Sequence, residues 1–575
     1  MSDAIQDVYP LAPGQGGILF QSLQARGASG AYVVQAVLRL RGAPEPERER
    51  AAWDALVARH DALRTALVWQ GRARPLQVVG RQARAPLVRH DLSALPEAER
   101  EARFAAFLAE DRARGFELSH APLLRLARFR MGGAAERLVA SFHHAAVDGW
   151  SAPVLLREWL SLYAGRPLPP AHPFRDHVAW ALSQDRAAAL AFWRRELADR
   201  APGASWTPPP PPSPPAERRG DLWLELDAAR TRALSAAARR AGVTRAAAAQ
   251  GAWALTLSRL SGSRDVVWGL ARSGREASLA GMESRVGMFL NTLPMRADAD
   301  PDRPLADWLR GLQARLSAQA PHEHLPLGEL QAALGRPDGA PLLTSAVVFE
   351  NYPADPARLG EAEGFVIETA EVREQTSLPL TLFAADGERL GLRLLFDAAQ
   401  VDAATARLAL SDTARVLETL AEAPQTPLGA IALDAAPTGP IPAPRPAPRA
   451  APQAEVARIA PRLAALWAEL LEGETPEAED NFFALGGHSL LTLQLQERIR
   501  AAFAVEVAVP DLFRFATLAA QSRHLAALLA EAEAPASSLA AAPDPARAEA
   551  RAEGAERLRR RRAHAAARPH GVRHA

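Results

Sequence analysis

The chain carries one stretch, RLVASFHHAAVDGWS (residues 137–151), in which two adjacent histidines stand between a short apolar run and a turn. The run RLVASF is typical of a β-strand, and the Asp-Gly pair favours a turn. Ser151 is suited to cap the helix that the apolar spacing of APVLLREWLSLY predicts. Because successive side chains of a strand point to opposite faces, one imidazole should pack inward and the other should face a cavity.

Two plainer interpretations stay open from this stretch alone. Neighbouring histidines beside a turn can both be structural. A metal site is disfavoured, because the spacing of His144 and Asp148 suits a helix, whereas Gly149 and the preceding strand argue against a helix there. The sequence offers no further ligand cluster beside them, so we expect no metal.

The length and composition of the chain exclude several classes of protein. A chain of 575 residues is too long for one core, and about 150 residues per domain suggests three or four units. The net charge of +1 argues against a main role on nucleic acid, and the absence of cysteine excludes disulfides and a cysteine nucleophile. The N-terminus lacks the pattern of a signal peptide, and no run approaches the roughly 20 apolar residues of a membrane span. We therefore expect a cytoplasmic protein with no membrane partner.

Three segments without a globular pattern divide the chain. The proline run TPPPPPSPP (207–215) predicts an extended spacer, since proline donates no N–H to a helix or ladder. A Pro/Ala-rich linker covers 436–454, and a low-complexity tail with a basic end covers 532–575, where we expect disorder. The blocks left between these segments are about 1–200, about 220–435 and 455–531.

The two long blocks mix helical and strand-like runs, and the short block is helical throughout. Apolar residues at helical spacing predict a helix over AAWDALVARHDALRTAL (51–67). Short runs rich in Val, Leu and Phe predict strands at RDVVWGLA, AVVFENY and LGLRLLFD. In the last block PRLAALWAELL predicts an amphipathic helix, with Pro461 ahead of its first turn.

HHAAVDGWS resembles the His-His-x-x-x-Asp-Gly motif of condensation domains from nonribosomal peptide synthetases. Six other stretches resemble further motifs of that family in the same order, and together they cover nearly all of residues 1–435. The first departs from the family pattern, since Gly14, Gly16 and Gly17 make it unusually rich in glycine. The six stretches are YPLAPGQGGILFQSL from Tyr9, RHDALRT from Arg59, VGMFLNTLPMR from Val286, HEHLPLGELQ from His322, VVFENYP from Val347 and EQTSLPLTL from Glu374.

The resemblance implies a two-lobed α/β (α+β) fold like chloramphenicol acetyltransferase, with a tunnel between the lobes and the proline spacer at their junction. It assigns His144 to the tunnel as the catalytic imidazole and His143 to its support. Asp148 is implied to be structural and held by an arginine, for which Arg275 is the candidate and Arg272 the second choice.

Other residues of the matched motifs receive supporting roles. Gly149 gives the backbone room at the turn. Arg64 of RHDALRT supports the site, and Asn291 fixes backbone between the lobes. His322 and His324 alternate as a metal pair could, but the motif that contains them favours packing or a place in the tunnel wall.

The last block holds the second specific signal, DNFFALGGHSLLTLQLQERI (480–499). Ser489 does not fit a hydrolase nucleophile, because Leu491 replaces the second glycine of Gly-x-Ser-x-Gly. A purely structural helix cap stays open from the pattern alone. The segment resembles the phosphopantetheine site of peptidyl carrier proteins, which implies a small all-α four-helix carrier with 4'-phosphopantetheine attached to its serine. The residues that the resemblance places at this site are Gly486, Gly487, His488 and Ser489.

Both resemblances together imply a condensation–carrier didomain that joins a carrier-bound acyl or peptidyl thioester to an aminoacyl acceptor through an amide bond. The implied partners are an upstream carrier protein, a phosphopantetheinyl transferase and an adenylation enzyme in trans, since no adenylation domain fits between linker and carrier. Three rivals stay open: an ester-forming enzyme, an epimerase, which the domain order disfavours, and an inactive platform that recruits carriers. The basic tail is either a solvated end or a docking segment for an acidic partner.

Overall fold

The computed structural model describes residues 4–24, 30–70, 72, 74–198, 206, 219–275, 279–334, 342–350, 361–434, 453–471, 473, 475–483, 485–487 and 489–533. The proline spacer, nearly all of the linker and the tail beyond residue 533 lie outside these residues, so the predictions made for them stay predictions. None of the described helices combines the length and the apolar character that a membrane span needs.

Strands and helices alternate through the first 434 residues, and the last block contains helices. The strands are β1 (Ile5–Pro10), β2 (Val33–Gly42), β3 (Thr65–Val68), β4 (Leu76–Gly80), β5 (Leu87–Asp91), β6 (Leu124–Gly132), β7 (Ala135–His143), β8 (Arg219–Leu226), β9 (Asp265–Arg272), β10 (Asn291–Asp298), β11 (Ser345–Glu350), β12 (Glu361–Ala362), β13 (Phe365–Arg373), β14 (Leu380–Ala385) and β15 (Leu390–Asp397). The helices are α1 (Gln15–Gln24), α2 (Pro46–Arg59), α3 (Glu97–Arg114), α4 (Ser151–Tyr163), α5 (Arg175–Ser183), α6 (Arg186–Glu196), α7 (Ala228–Ala241), α8 (Arg245–Ser261), α9 (Leu305–Gln319), α10 (Leu327–Leu334), α11 (Ala403–Glu422), α12 (Gln453–Leu471), α13 (Ser489–Phe503), α14 (Val509–Arg514) and α15 (Leu518–Glu533).

The N-terminal lobe is built on a six-stranded sheet in the order β12-β13-β2-β7-β6-β5. Strand β2 runs antiparallel to β7, with Val33 opposite His143. Helices α1, α2 and α4 pack on one face around Phe142 and Trp159, and α3 packs on the other face against Phe129. A smaller antiparallel sheet, β1-β4-β3, lies beside them. Helices on both faces bury most of β7, the strand that leads into the histidine pair.

Two strands of the N-terminal sheet, β12 and β13, come from the C-terminal half of the chain. Strand β13 runs antiparallel to β2, with Arg373 opposite Gln35. The division into lobes at about 1–200 and 220–435 therefore needs a correction, because residues 361–373 complete the N-terminal sheet. Strand partners are set by backbone hydrogen bonds between segments far apart in the chain, and the apolar pattern of one segment does not reveal its partner.

The C-terminal lobe has its own six-stranded sheet in the order β10-β9-β11-β14-β15-β8. Strand β11 is parallel to both of its neighbours, and the other pairs are antiparallel. Helices α7, α8, α9 and α11 form one core with this sheet, which includes Trp253, Trp268 and Leu309. The three runs predicted as strands in this half fall in β9, β11 and β15.

The helix predicted over 51–67 is shorter than expected. Helix α2 ends at Arg59, a 3-10 turn covers Asp61–Arg64, and Thr65 begins strand β3. The N–H of His60 still bonds back to Leu56, after which the backbone becomes extended. Pairing of β3 with β4 outweighs the helical spacing of the apolar residues in this segment.

The last block folds as the helices α12 to α15 around a core that includes Trp467, Phe482 and Leu495. Helix α12 begins at Gln453, so Pro461 lies inside it and not ahead of its first turn as predicted. Proline removes one backbone hydrogen bond of the helix. Packing of the apolar face of α12 against this core outweighs that loss.

Candidate active site and carrier site

The histidine pair lies at the end of β7, where its two side chains take opposite faces of the sheet. His143 ends the strand and is 3% exposed, whereas His144 begins the turn and lines a cavity between the lobes. Ser141 shares the face of His143 and bonds Asp111 of α3, and Phe142 shares the face of His144 and lines the cavity. Strand alternation thus separates the neighbours as the sequence predicts.

His143 is held as a neutral ring. Its Nδ1 accepts a hydrogen bond from the backbone N–H of Ala145 (3.2 Å), which leaves the proton on Nε2, 3.2 Å from Ser22 Oγ. Burial, with a smaller effect from His144, lowers the pKa of His143 to about 3. A ring that stays neutral and bonded at both nitrogens is suited to support its neighbour.

His144 is fixed by its backbone and open at one edge of its ring. Its N–H donates to the carbonyl oxygen of Tyr32 (2.8 Å). The Nδ1 atom is buried and has no hydrogen-bond partner among the described residues. The Nε2 edge is therefore the part of the ring that faces the cavity.

The cavity has a volume of about 1050 Å³, large for a small-molecule site. Its walls come from both lobes and from the helical block. They include Ile18, Tyr32 and Phe142 of the N-terminal lobe, Trp223, Asn291 and Thr381 of the C-terminal lobe, and Phe483, Val509 and Ala516 of the helical block.

Asp148 is 2% exposed, and both oxygens of its carboxylate accept hydrogen bonds from other residues. Arg275 Nη2 lies 3.0 Å from Oδ1 and 3.2 Å from Oδ2. The backbone N–H and the Oγ of Ser151 donate to Oδ1, and the N–H of Phe289 donates to Oδ2. Asp148 belongs to the N-terminal lobe and Arg275 to the C-terminal lobe, so this buried ion pair joins the two.

The cap of α4 differs from the prediction. Ser151 is the first residue of the helix, and Asp148 accepts a hydrogen bond from its N–H at 2.8 Å. A carboxylate three residues ahead also meets the positive end of the helix dipole. Asp148 therefore fixes both the start of α4 and the junction with Arg275.

Replacing Asp148 with asparagine should cost about 3 kcal/mol of unfolding free energy, because Arg275 would keep its charge in a buried place without a counter-charge. Chemical denaturation of the full chain measures this loss. The matched control is Asp298→Asn, which breaks an exposed pair with Arg264 and should cost less than about 1 kcal/mol. Equal losses for the two variants would contradict a special role for the interlobe pair.

Arg64 and Gly149 occupy different surroundings. Arg64 donates to the carbonyl oxygen of Val57 (3.1 Å) and to Gln6 Oε1 (2.7 Å), and thus ties α2 to β1. Burial lowers the pKa of Arg64. Gly149 lines the cavity one residue after Asp148. Gly149 and His144 therefore line the same cavity, whereas the contacts of Arg64 join elements of the scaffold.

Asn291 and Arg272 make their contacts within the C-terminal lobe. Asn291 Nδ2 donates to the carbonyl oxygens of Glu323 (2.8 Å) and Leu325 (2.9 Å). It therefore fixes backbone inside that lobe and not between the lobes as expected, although it also lines the cavity. Arg272 pairs with Glu323, so it is not the partner of Asp148.

The alternating histidines of HEHLPLGELQ do not meet at a metal site. His322 stacks on Phe192 with ring centroids 4.3 Å apart, and His324 is 9% exposed. Burial lowers the pKa of both rings. Among the residues that the structure describes, no group of three or more His, Cys, Asp or Glu side chains is placed to hold a metal ion.

Sequence reasoning missed a polar cluster in the cavity wall. Tyr32 Oη bonds Gln21 Oε1 and lies 3.0 Å from Ser377 Oγ, and Ser377 also bonds Gln21. Tyr32 has φ +62°, which is uncommon for an aromatic residue, and its ring meets that of His144 edge-on with centroids 6.5 Å apart. Gln21 and Ser377 lie in two of the matched motifs, and this is the sequence feature that could have pointed to the cluster.

The glycine-rich first motif has a steric cause at one position. A Cβ at Gly14 would lie 2.0 Å from the carbonyl oxygen of Leu290, so the start of α1 approaches the C-terminal lobe too closely for a side chain. A Cβ at Gly16 or Gly17 would meet no atom within 4 Å, and Gly17 lines the cavity. The departure from the family pattern thus leaves the cavity open beside α1.

The loop ahead of α13 is shaped by two glycines. Gly486 has φ +102°, a conformation that favours glycine. A Cβ at Gly487 would lie 2.3 Å from Phe482 Cδ1 and 2.4 Å from the Phe482 carbonyl oxygen. Helix α13 begins at Ser489, and His488 lies outside the described residues. The loop therefore brings Ser489 to a helix N-terminus, where unbonded N–H groups favour an anion.

Replacing Gly487 with alanine should destabilise the loop by about 1–3 kcal/mol, because Phe482 belongs to the helical core and cannot move freely. Hydrogen exchange of the α13 segment in the full chain should become faster. Gly473→Ala is the matched control in the same block, since its nearest atom would be 3.8 Å away. Unchanged exchange in Gly487→Ala would show that the loop tolerates a side chain.

The helical block lies against the N-terminal lobe beside the cavity. Leu493 of α13 packs on the apolar cluster of that lobe, and Gln494 Nε2 donates to the carbonyl oxygen of Trp69 (3.3 Å). Phe483, from the loop that leads to Ser489, lines the cavity. The loop ahead of Ser489 therefore borders the cavity that contains His144.

Comparison with known families agrees with both parts of this arrangement. Residues 5–435 match the family described as "Condensation domain". The chain belongs to the condensation-domain family. Residues 461–525 match the family described as "Phosphopantetheine attachment site". The predicted order, a condensation domain followed by a carrier domain with 4'-phosphopantetheine as its covalent cofactor, is confirmed.

The similar curated proteins include subunits of large synthases. A component of the linear gramicidin synthase from Brevibacillus parabrevis is 36% identical over 448 residues, which cover 75% of this chain and 6% of that protein. Surfactin synthase subunit 3 from Bacillus subtilis is 28% identical over 439 residues, which cover 75% of this chain and 34% of that protein. The chain thus spans a small part of the length of these relatives.

Solved structures show the same fold. The condensation domain from the Monacolin K polyketide synthase MokA has a TM-score of 0.63 at 19% identity and covers 74% of this chain and 100% of its own. The first condensation domain of the calcium-dependent antibiotic synthetase, in complex with a substrate analogue, has a TM-score of 0.61 at 22% identity and covers 74% and 99%. The two-lobed fold predicted from the motifs is confirmed.

Proposed function

We propose that this chain forms an amide bond between an acyl or peptidyl thioester on an upstream carrier protein and an aminoacyl acceptor. Its own carrier domain is modified at Ser489 by a phosphopantetheinyl transferase, holds one of the two reactants, and is loaded by an adenylation enzyme in trans. The observation that carries the proposal is the shared cavity that borders both His144 and the loop ahead of Ser489.

The residues near Ser489 fit the covalent group. Phosphopantetheine supplies a thiol on a flexible arm, and this chain has no cysteine thiol of its own. The first N–H groups of α13 and the positive end of its dipole favour a phosphodiester at Ser489. Gly486 and Gly487 hold the loop in the conformation that presents this helix end.

Amide formation from a thioester needs one group that moves a proton from the acceptor nitrogen to the leaving sulfur. The lone pair of the acceptor nitrogen attacks the thioester carbonyl carbon, the C–N bond forms, and the C–S bond breaks with release of a thiolate. The nitrogen loses one proton and the sulfur gains one. An imidazole exchanges protons near neutral pH, and the Nε2 edge of His144 faces the cavity, so His144 takes the proton from nitrogen and returns it to sulfur.

Positioning supplies much of the remaining acceleration. Two reactants held side by side can reach effective concentrations of roughly 10⁵ M or more. Both lobes and the carrier domain contribute walls of the cavity, and the buried pair of Asp148 and Arg275 fixes the lobes against each other beside it. His143 holds the strand end from which His144 projects.

The test uses the full chain with aminoacyl-phosphopantetheine installed on Ser489. An acylated donor carrier is added, and intact mass spectrometry follows transfer of the acyl group to the chain. A parallel sample carries the hydroxy acid of the same skeleton. The proposal expects transfer to the amine alone. Comparable transfer to the hydroxyl would favour the ester-forming rival, and transfer to neither would favour the recruitment platform.

A further inference from the structure

Glu374 is a carboxyl group in the cavity wall to which the chemistry above gives no role. It directly follows β13, and alternation places it on the same face as Val372. Val372 lies opposite Ala36, Ala36 lies opposite Ala140, and all three line the cavity. His144 follows Ala140 by four residues and takes the same face. Glu374 and His144 therefore share one face of one sheet and one cavity.

Backbone hydrogen bonds continue past Glu374. The N–H of Tyr32 donates to the carbonyl oxygen of Gln375 at 3.4 Å, and the carbonyl oxygen of Tyr32 accepts from the N–H of His144 at 2.8 Å. Tyr32, which directly precedes β2, thus connects the segment of Glu374 with the turn of His144. The two side chains are held on neighbouring backbone, in fixed relation to each other.

Three arginines and one other carboxylate lie around Glu374. Its side chain is 15% exposed, and its Oε1 lies 3.6 Å from Arg393 Nη1. Arg393 directs its hydrogen bonds to Asp221 at 3.0 and 2.9 Å. The charged and titratable groups that face Glu374 are His144, Arg112, Arg219, Asp221 and Arg393. Arg219 and Arg393 also pair with Asp221, so neither arginine is bound to Glu374 alone, and Glu374 lines the same cavity as His144.

We propose that Glu374 is a positioning residue that acts through His144, as the counter-charge for the imidazolium formed when His144 takes the proton of the acceptor nitrogen. This inference rests on the proposed function. Glu374 makes no bond to substrate. Its carboxylate favours the protonated form of His144 at the moment of C–N bond formation.

The stability of the fold gives an independent test. Burial raises the pKa of Glu374, against smaller lowering effects of His144, Arg393 and Arg219. A carboxyl group whose pKa is raised by folding adds stability below the pKa of an ordinary glutamate and loses it as the pH rises through the raised value. Ionisation of Glu374 therefore opposes folding above the pKa of an ordinary glutamate. Glutamine at this position removes that opposition and keeps the shape.

The experiment measures both properties of Glu374→Gln in the pantetheinylated full chain. We expect kcat for amide formation to fall about 10- to 100-fold, the effect of one charge acting over several ångströms at intermediate dielectric constant, with KM unchanged. We expect Tm at neutral pH to rise by about 2 °C or more. A residue needed only for structure would lower Tm.

Glu363→Gln is the matched control. Glu363 lies in the turn ahead of β13, is exposed and pairs with Arg48 at 2.9 Å, so its substitution should change neither quantity. Unchanged kcat in Glu374→Gln, or a fall of kcat together with a fall of Tm, would overturn the role of Glu374 alone. A wild-type chain that forms no amide would overturn the proposed function and this role with it.

Discussion

Replacing His144 with alanine should lower the rate of amide formation by about 100-fold or more and leave the protein folded. The loss follows from removing the group that carries the proton between nitrogen and sulfur. The fold should survive because the ring lines a cavity and its buried Nδ1 has no partner among the described residues. Single-turnover acyl transfer, followed by intact mass spectrometry beside a melting curve, measures both effects.

His120→Ala is the matched control for this substitution. His120 is exposed in the same lobe, with its Nδ1 3.1 Å from Ser119 Oγ, and its loss should leave both the rate and Tm unchanged. A folded His144→Ala variant with wild-type turnover would remove the imidazole from the mechanism. In that case positioning of the reactants by the cavity would have to supply the whole acceleration.

The sequence could predict the histidine pair well because the decisive forces are local. Strand alternation separates His143 from His144 within two residues, and no distant contact is needed to know that they face apart. The pairing of Asp148 with Arg275 joins residues far apart in the chain, and the matched motif alone made it foreseeable. Even so, the motif left two candidate arginines. In the structure Arg275 pairs with Asp148, and Arg272 pairs with Glu323.

Long-range pairing explains what the sequence could not reveal. No local pattern reveals that β13 crosses to the other lobe and pairs with β2. Glu374 reaches the face of His144 through that crossing, and Tyr32 bonds Gln21 and Ser377 across it. The predicted limits of α2 and α12 were wrong for a related reason. Pairing of β3 with β4 outweighed the helical spacing beyond α2, and packing of α12 outweighed its proline.

Replacing Ser489 with alanine should abolish the mass increase that a phosphopantetheinyl transferase adds to this chain. The hydroxyl is the nucleophile that accepts the group, and alanine at the first position of α13 offers none. Alanine is also a good helix former, so Tm should change little. Ser538→Ala, in the C-terminal tail, is the matched control and should be modified as fully as the wild type.

The same variant separates delivery from chemistry. Because His144 lies in the condensation domain, Ser489→Ala should still acylate an acceptor supplied as a free aminoacyl thioester, which reaches the cavity without the carrier. Loss of that activity would mean that Ser489 acts inside the cavity and not as the attachment point. A mass increase that survives in Ser489→Ala would place the attachment on another side chain. The helix N-terminus that follows the glycine loop would then not be the site of the phosphodiester.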